Sequence, residues 1–92
     1  MKSNTMRLDK FLKVSRLIKR RTVANEVSDQ GRVLVNNNQA KPSKDIKAGD
    51  IITIEYFSKN LTIRVLEVPE RNISVQQAKE LYEIIEDTTD TK

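Results

Sequence analysis

The chain has 92 residues, 17 Lys and Arg against 13 Asp and Glu, and a formal net charge of +4, which is one domain's worth of sequence with a modest core. It contains no Cys and no His. That excludes disulfides, thiolate nucleophiles, Cys-based zinc sites and imidazole proton transfer.

Residues 1–5, "MKSNT", are polar, precede a second Met, and are expected to form a disordered leader. "RLDKFLKVSR" (7–16) places Leu8, Phe11, Leu12 and Ser15 on one helical face, with Lys10 and Lys13 opposite and Arg7 and Arg16 at the borders. "TVANEVSDQG" predicts a second, short helix with Thr22 as N-cap, a buried stripe of Val23, Ala24 and Val27, and Gly31 at the left-handed C-terminal position. "RVLVNNNQ" alternates as a strand and ends in Asn37 and Asn38, residues that tolerate positive φ. A turn-rich stretch through Gly49-Asp50 leads into "IITIEY", and "FSKN" reads as a hairpin turn. "LTIRVLEV" is the longest predicted strand, with a bulge near Val65 to reconcile Leu61, Ile63 and Val65 with Leu66 and Val68. "SVQQAKELYEII" carries a capping box, Ser74 with Gln77, and a helical face of Val75, Ala78, Leu81, Tyr82 and Ile85. The expected class is therefore α+β: two N-terminal helices packed on a small, mostly antiparallel sheet, plus a C-terminal helix. The expected boundaries are a leader at 1–5, a domain at 6–68, a helical extension at 69–86 and a disordered acidic tail at 87–92.

No Ser/His/Asp or Cys/His set, metal-ligand spacing or glycine-rich phosphate loop is present, so an enzyme is not expected, nor a cofactor or metal. Charge is the informative feature. Residues 1–50 hold 12 Lys and Arg against 5 Asp and Glu, whereas residues 51–92 hold 5 against 8. Between Arg7 and Arg21 there are seven basic residues and one acid, Asp9. Like charges so close repel, and a one-sided cationic field points to a polyanionic partner. Nucleic acid, an acidic membrane surface and an acidic protein are the options. The apolar face of the basic helix is needed for the core, which disfavours a membrane. Only Phe11, Tyr56, Phe57 and Tyr82 are aromatic, too few for a base-stacking platform, so the backbone of structured RNA fits best. The candidate contacts are Arg7, Lys10, Lys13, Arg16, Arg20, Arg21 and Asn25. Arg7 pairing only locally with Asp9 is the plain alternative, as is a solvated helix start for Arg21. Asp9 itself reads as a first-turn carboxylate favoured by the helix dipole.

"RLDKFL" (7–12), "RRTVANEVSDQGRVLVN" (20–36) and "KPSKDIKAGDII" (41–52) resemble the RNA-binding domain first named for ribosomal protein S-four, the αL motif. Arg7, Leu8, Asp9, Leu12, Arg21, Ala24, Gly31, Val33, Val35, Asn36, Pro42, Ser43, Gly49 and Asp50 carry the resemblance; Asn37 stands where the family usually has Gly. The run from Met6 to Gly31 is similar to small stand-alone members that serve ribosome-associated quality control. Heat-shock ribosome-associated members are their relatives. The resemblance implies a ribosome-associated protein that binds large-subunit rRNA and peptidyl-tRNA on stalled, split subunits; a monomer is expected. It further implies support for a partner factor that adds a C-terminal alanine tail, with RNA contact through Arg7 and Arg21.

Overall fold

The structure is a computed structural model that describes residues 5–56, 59–69 and 75–89. Strand β1 (Met6–Arg7) leads into helix α1 (Leu8–Val14), and α2 spans Arg21–Asp29. The strands that follow are β2 (Val33–Val35), β3 (Asn38–Gln39), β4 (Asp45–Ile46), β5 (Ile51–Tyr56) and β6 (Lys59–Val65). The short helix α3 (Val75–Ala78), a 3-10 turn (Lys79–Leu81) and β7 (Tyr82–Thr89) complete it. β1 and β4 form a two-stranded pair; the main sheet has the order β3-β2-β5-β6-β7, antiparallel throughout.

The helix pair forms as its apolar spacing requires. Leu8, Phe11 and Leu12 of α1 are fully buried with Ala24 and Val27 of α2, over Val33, Ile46, Ile52, Ile54, Ile63 and Val65. Each such aliphatic or aromatic side chain contributes about 1.5–3 kcal/mol relative to exposure. Ser15 and Ser28 are buried at no polar cost, because their hydroxyls donate to Leu12 O (3.3 Å) and Ala24 O (2.8 Å). α1 ends two residues before the expected Arg16, which instead adopts φ +65 and turns the chain toward α2.

α2 begins at Arg21, not after a Thr22 cap. Arg20 takes the extended N-cap conformation and accepts the Ala24 N–H at 3.0 Å, while Thr22 lies exposed in the first turn. The other end matches expectation. Gly31 has φ +76, its N–H donates to Ser28 O, and the Arg32 N–H donates to Val27 O, the paired bonds of a Schellman cap.

The β2–β3 turn is Asn36-Asn37, with φ +53 and +69, so the positive-φ pair sits one residue earlier than expected and Asn38 opens β3. Two consecutive left-handed residues between paired strands make the primed hairpin turn. Asn36 also ties this corner to β5. Its N–H donates to Ile51 O (2.7 Å), its Oδ1 accepts the Ile51 N–H (3.0 Å), and its Nδ2 donates to Asp50 Oδ1 (3.2 Å). The second oxygen of the buried Asp50 accepts the Lys47 N–H at 3.0 Å.

The C-terminal helix is shorter than its periodicity suggests. Only Val75–Ala78 is α-helical; Tyr82, Ile84 and Ile85 belong to β7, and so do Asp87–Thr89, where a disordered tail was expected. Tyr82 and the two isoleucines favour a pleated surface. β6 offers a free edge along its whole length, and pairing satisfies backbone groups that a further helical turn would leave solvated. The bulge lies on this pairing rather than near Val65. Thr62 faces Glu86 and Ile63 faces Ile84, so Ile85 is the extra residue. The 1–4 part of the leader, the tip of "FSKN", Ser74 of the capping box and residues 90–92 lie outside the described residues. Among the described residues, no helix is long and apolar enough to cross a membrane.

Gly31→Ala is expected to cost about 1–2 kcal/mol through left-handed strain. It would also push a Cβ to 2.9 Å from Gln39 Nε2, the donor to Gly31 O. Gly49→Ala at φ +95 meets no atom within 4 Å and should cost less. Urea denaturation checks both the loss of midpoint and its order.

Candidate nucleic-acid interface

The N-terminus of α1 is held by backbone. The Leu8 N–H donates to Lys44 O (2.8 Å) and the Asp9 N–H to Pro42 O (3.1 Å), so the Lys41–Lys44 turn fixes where α1 starts. Asp9 therefore projects from the first turn of α1 toward α2, where its side chain is only 2% exposed. Its two oxygens collect four partners. Arg7 Nε donates to Oδ1 and Arg7 Nη2 to Oδ2, both at 3.3 Å; the Lys10 N–H reaches Oδ1 at 2.7 Å. From α2, Asn25 Nδ2 donates to Oδ2 at 3.3 Å, and Arg21 Nε lies 3.6 Å from the same oxygen.

Both guanidinium groups are held on one side and open on the other: the Arg7 and Arg21 side chains are 49% and 48% exposed. A carboxylate beneath them fixes their directions, so less side-chain freedom remains to be lost when an anion binds the outward N–H groups. Arg7, Asp9, Arg21, Thr22, Asn25 and Glu26 line an open depression of about 490 Å³. With two arginines against two carboxylates, its lining is balanced in charge rather than uniformly cationic.

A second depression, of about 530 Å³, is lined by Arg16, Leu17, Ile18, Lys19, Arg20 and Val23. It has three cations, no acid, and an apolar floor. The seven residues singled out from sequence thus fall into three places. Arg7, Arg21 and Asn25 meet at Asp9; Arg16 and Arg20 rim the second depression; Lys10 and Lys13 are exposed on α1 and line neither. Between the first two places runs the start of α2, whose N-cap side chain makes no capping bond and whose first turn holds no acid. Arg20 and Arg21 sit where the helix dipole favours negative charge. An incoming phosphate relieves that conflict and accepts the free N–H groups.

Sequence reasoning undervalued Asp9. Spacing alone showed an acid in a first helical turn; the signal for its larger role was Arg at i−2 together with Asn25 one turn into α2. Thr22, Glu26 and Lys19 also line the site and were not singled out. Phe11 is fully buried, so it offers no stacking surface, and Tyr82 is partly buried against the core. The side chains of Tyr56 and Phe57 lie outside the described residues. Among the described residues, no group of three or more acidic side chains is placed to hold a metal ion.

An arginine pair seated on a carboxylate between two short helices, with a basic depression beside it, is a surface suited to a nucleic-acid backbone. The model of the S4 domain family matches residues 6–52, and the chain belongs to that family. Within it, the chain is 51% identical over 82 residues to the RQC P-site tRNA stabilizing factor of Bacillus subtilis, covering 89% of this chain and 94% of that protein. It is 52% identical over 89 residues to the protein of the same name from Listeria monocytogenes, covering 96% of each. The trimeric structure of Vibrio cholerae heat shock protein 15 superposes with a TM-score of 0.80 at 31% identity, over 88% of this chain and 82% of that one.

Burial pushes the Asp9 carboxyl upward, but Asn25, Arg7, Arg21 and the Lys10 N–H outweigh it and hold it below its ordinary value of 3.8. A lowered carboxyl stabilises the fold above the unfolded value, and that contribution is lost as pH falls through the folded one. Asp9→Asn should therefore cost about 1.5–3 kcal/mol near pH 7, the range for hydrogen bonds to a charged group. The deficit against the parent should shrink below pH 4 and vanish in stronger acid, as chemical denaturation across pH would show.

Proposed function

We propose that this chain is a non-catalytic factor of ribosome-associated quality control that stabilises P-site tRNA on large subunits left by stalled, split ribosomes. The observation that carries the reading is the Arg7 and Arg21 pair ordered by Asp9 beside an α2 start without a side-chain cap. About half identity to the named P-site factors, over nearly their whole length, supports the tRNA assignment.

Arg7 and Arg21 present fixed donors to RNA phosphates, and the α2 N–H groups add to them. Arg16 and Arg20 contact a neighbouring stretch of backbone, Asn25 holds Asp9 and borders the contact, and Lys10 and Lys13 supply field. Such a surface, engaging rRNA and peptidyl-tRNA together, favours one tRNA position by binding energy alone. The bound tRNA then remains in place for the partner factor that adds alanine to the nascent chain. The protein acts as a monomer and takes no cofactor.

The likeness to heat shock protein 15 favours a second reading, a general large-subunit recycling or assembly factor. Density-gradient sedimentation separates the two. The P-site reading requires co-sedimentation with large subunits that hold peptidyl-tRNA and not with subunits stripped of tRNA; the recycling reading requires both. Association that survives RNase would point to an acidic protein partner and overturn both.

Arg7→Ala and Arg21→Ala should each weaken association about tenfold, the effect of losing roughly 1.4 kcal/mol, while leaving the urea midpoint of Arg21→Ala nearly unchanged. The slope of log K against log salt should fall by about 0.7–0.9 for each phosphate contact removed. Unaltered affinity for both variants at matched salt would refute the assignment.

A further inference from the structure

The β7 edge of the main sheet has opposite chemistry to the basic helix pair. β7 is the outermost strand of the sheet, so one of its edges has no partner strand among the described residues. Glu83, Glu86 and Asp87 are exposed along it, and among the described residues only Glu83 has a counter-ion, Arg64 at 3.2 Å. The same strand exposes Ile84 at 54% and Ile85 at 48%. Leu66, bonded through its N–H to Leu81 O just before β7, is 49% exposed; these three are the exposed large hydrophobics among the described residues.

Two features need an explanation beyond stability. Charges and a bulge are ordinary protection for an edge strand. Protection does not account for two adjacent, half-exposed isoleucines at the bulge itself. By register, Ile84 faces Ile63 and Tyr82 faces Val65, so β7 extends the core face of the sheet past the area that its own chain covers. An apolar strip fringed by carboxylates repels RNA and suits a cationic polypeptide with interspersed aliphatic side chains.

We propose that β7 is a docking edge for an extended, Lys/Arg-rich segment of a partner protein, which pairs along Tyr82–Thr89. The carboxylates of Glu86 and Asp87 select its charge, and Ile84 and Ile85 take its aliphatic side chains. Charge complementarity decides the occupant: two copies paired edge to edge through β7 would set Glu83, Glu86 and Asp87 of one against those of the other, whereas a cationic segment meets opposite charge. The protein then touches RNA with its helix pair and protein with its far sheet edge.

The test uses the full-length, isotopically labelled protein titrated with a capped synthetic peptide of alternating Lys and Val, with a Glu-Val peptide as control. Saturable amide shifts confined to Tyr82–Thr89 and neighbouring β6, seen with the Lys peptide alone, are expected. The double variant Glu86→Lys/Asp87→Lys should weaken peptide binding about tenfold, as should Ile84→Ser/Ile85→Ser, roughly 1.4 kcal/mol each. Both variants should keep the parent's sedimentation with large subunits, which separates this proposal from the RNA reading. Absence of saturable shifts, shifts centred on Arg7–Asp29, equal affinity in the variants, or concentration-dependent self-association through β7 that the peptide does not displace would overturn it.

Discussion

One buried carboxylate organises the functional end of this molecule. Asp9 lies between α1 and α2 and gathers a bidentate contact from Arg7, an amide bond from Asn25, a backbone N–H from Lys10 and the nearby Arg21 guanidinium. Taking a charge out of water is costly unless it is paired and hydrogen-bonded, and here these partners together offset that cost. The same contacts that keep the carboxylate ionised also fix the directions of two arginines. In the proposed reading, stability and recognition are therefore coupled through one side chain. Packing of Leu8, Phe11, Leu12, Ala24 and Val27 brings the helices together, and Asp9 sets what they display.

The remainder of the fold positions this pair. The Lys41–Lys44 turn accepts the first N–H groups of α1, and β1 pairs with β4, so Arg7 leaves a fixed strand and not a free terminus. The Schellman cap at Gly31 delivers the chain from α2 into β2. The Asn36–Asp50 contact then joins the hairpin to β5. Against these favourable terms stand local conflicts at the candidate interface. Arg16 adopts a left-handed conformation, and Arg20 and Arg21 occupy a helix start where negative charge would be preferred. Such conflicts concentrate where a ligand is to be bound.

The helix pair, the Gly31 cap and the hairpins were legible because each follows from local chemistry: apolar spacing at three and four residues, a residue without Cβ at positive φ, and asparagines in a tight turn. The C-terminal segment was not. "KELYEII" satisfies a helical period, yet β6 has a free edge that makes strand pairing the better use of Tyr82, Ile84 and Ile85. Only tertiary context carries that information. The site was half legible for the same reason. The basic residues showed in sequence, and the family resemblance singled out Arg7 and Arg21. That Asp9 is a shared anchor across 16 positions of chain could not be read from its place in a first turn. Nor could the place of Glu26, which joins Asp9 in balancing the two arginines that line the depression.

The central claim is that Asp9 works by placing Arg7 and Arg21, and its sign can be tested. Asp9→Asn removes a negative charge from the proposed RNA-facing surface. If the surface acts only as a field, the variant should bind large subunits carrying peptidyl-tRNA more tightly than the parent, most clearly at low salt. If position governs, binding should weaken despite the added positive charge. The decisive measurement is the affinity of Asp9→Asn and the parent for those subunits, at two salt concentrations and a temperature where both are folded. Weaker binding at both salts is predicted; tighter binding would contradict the account.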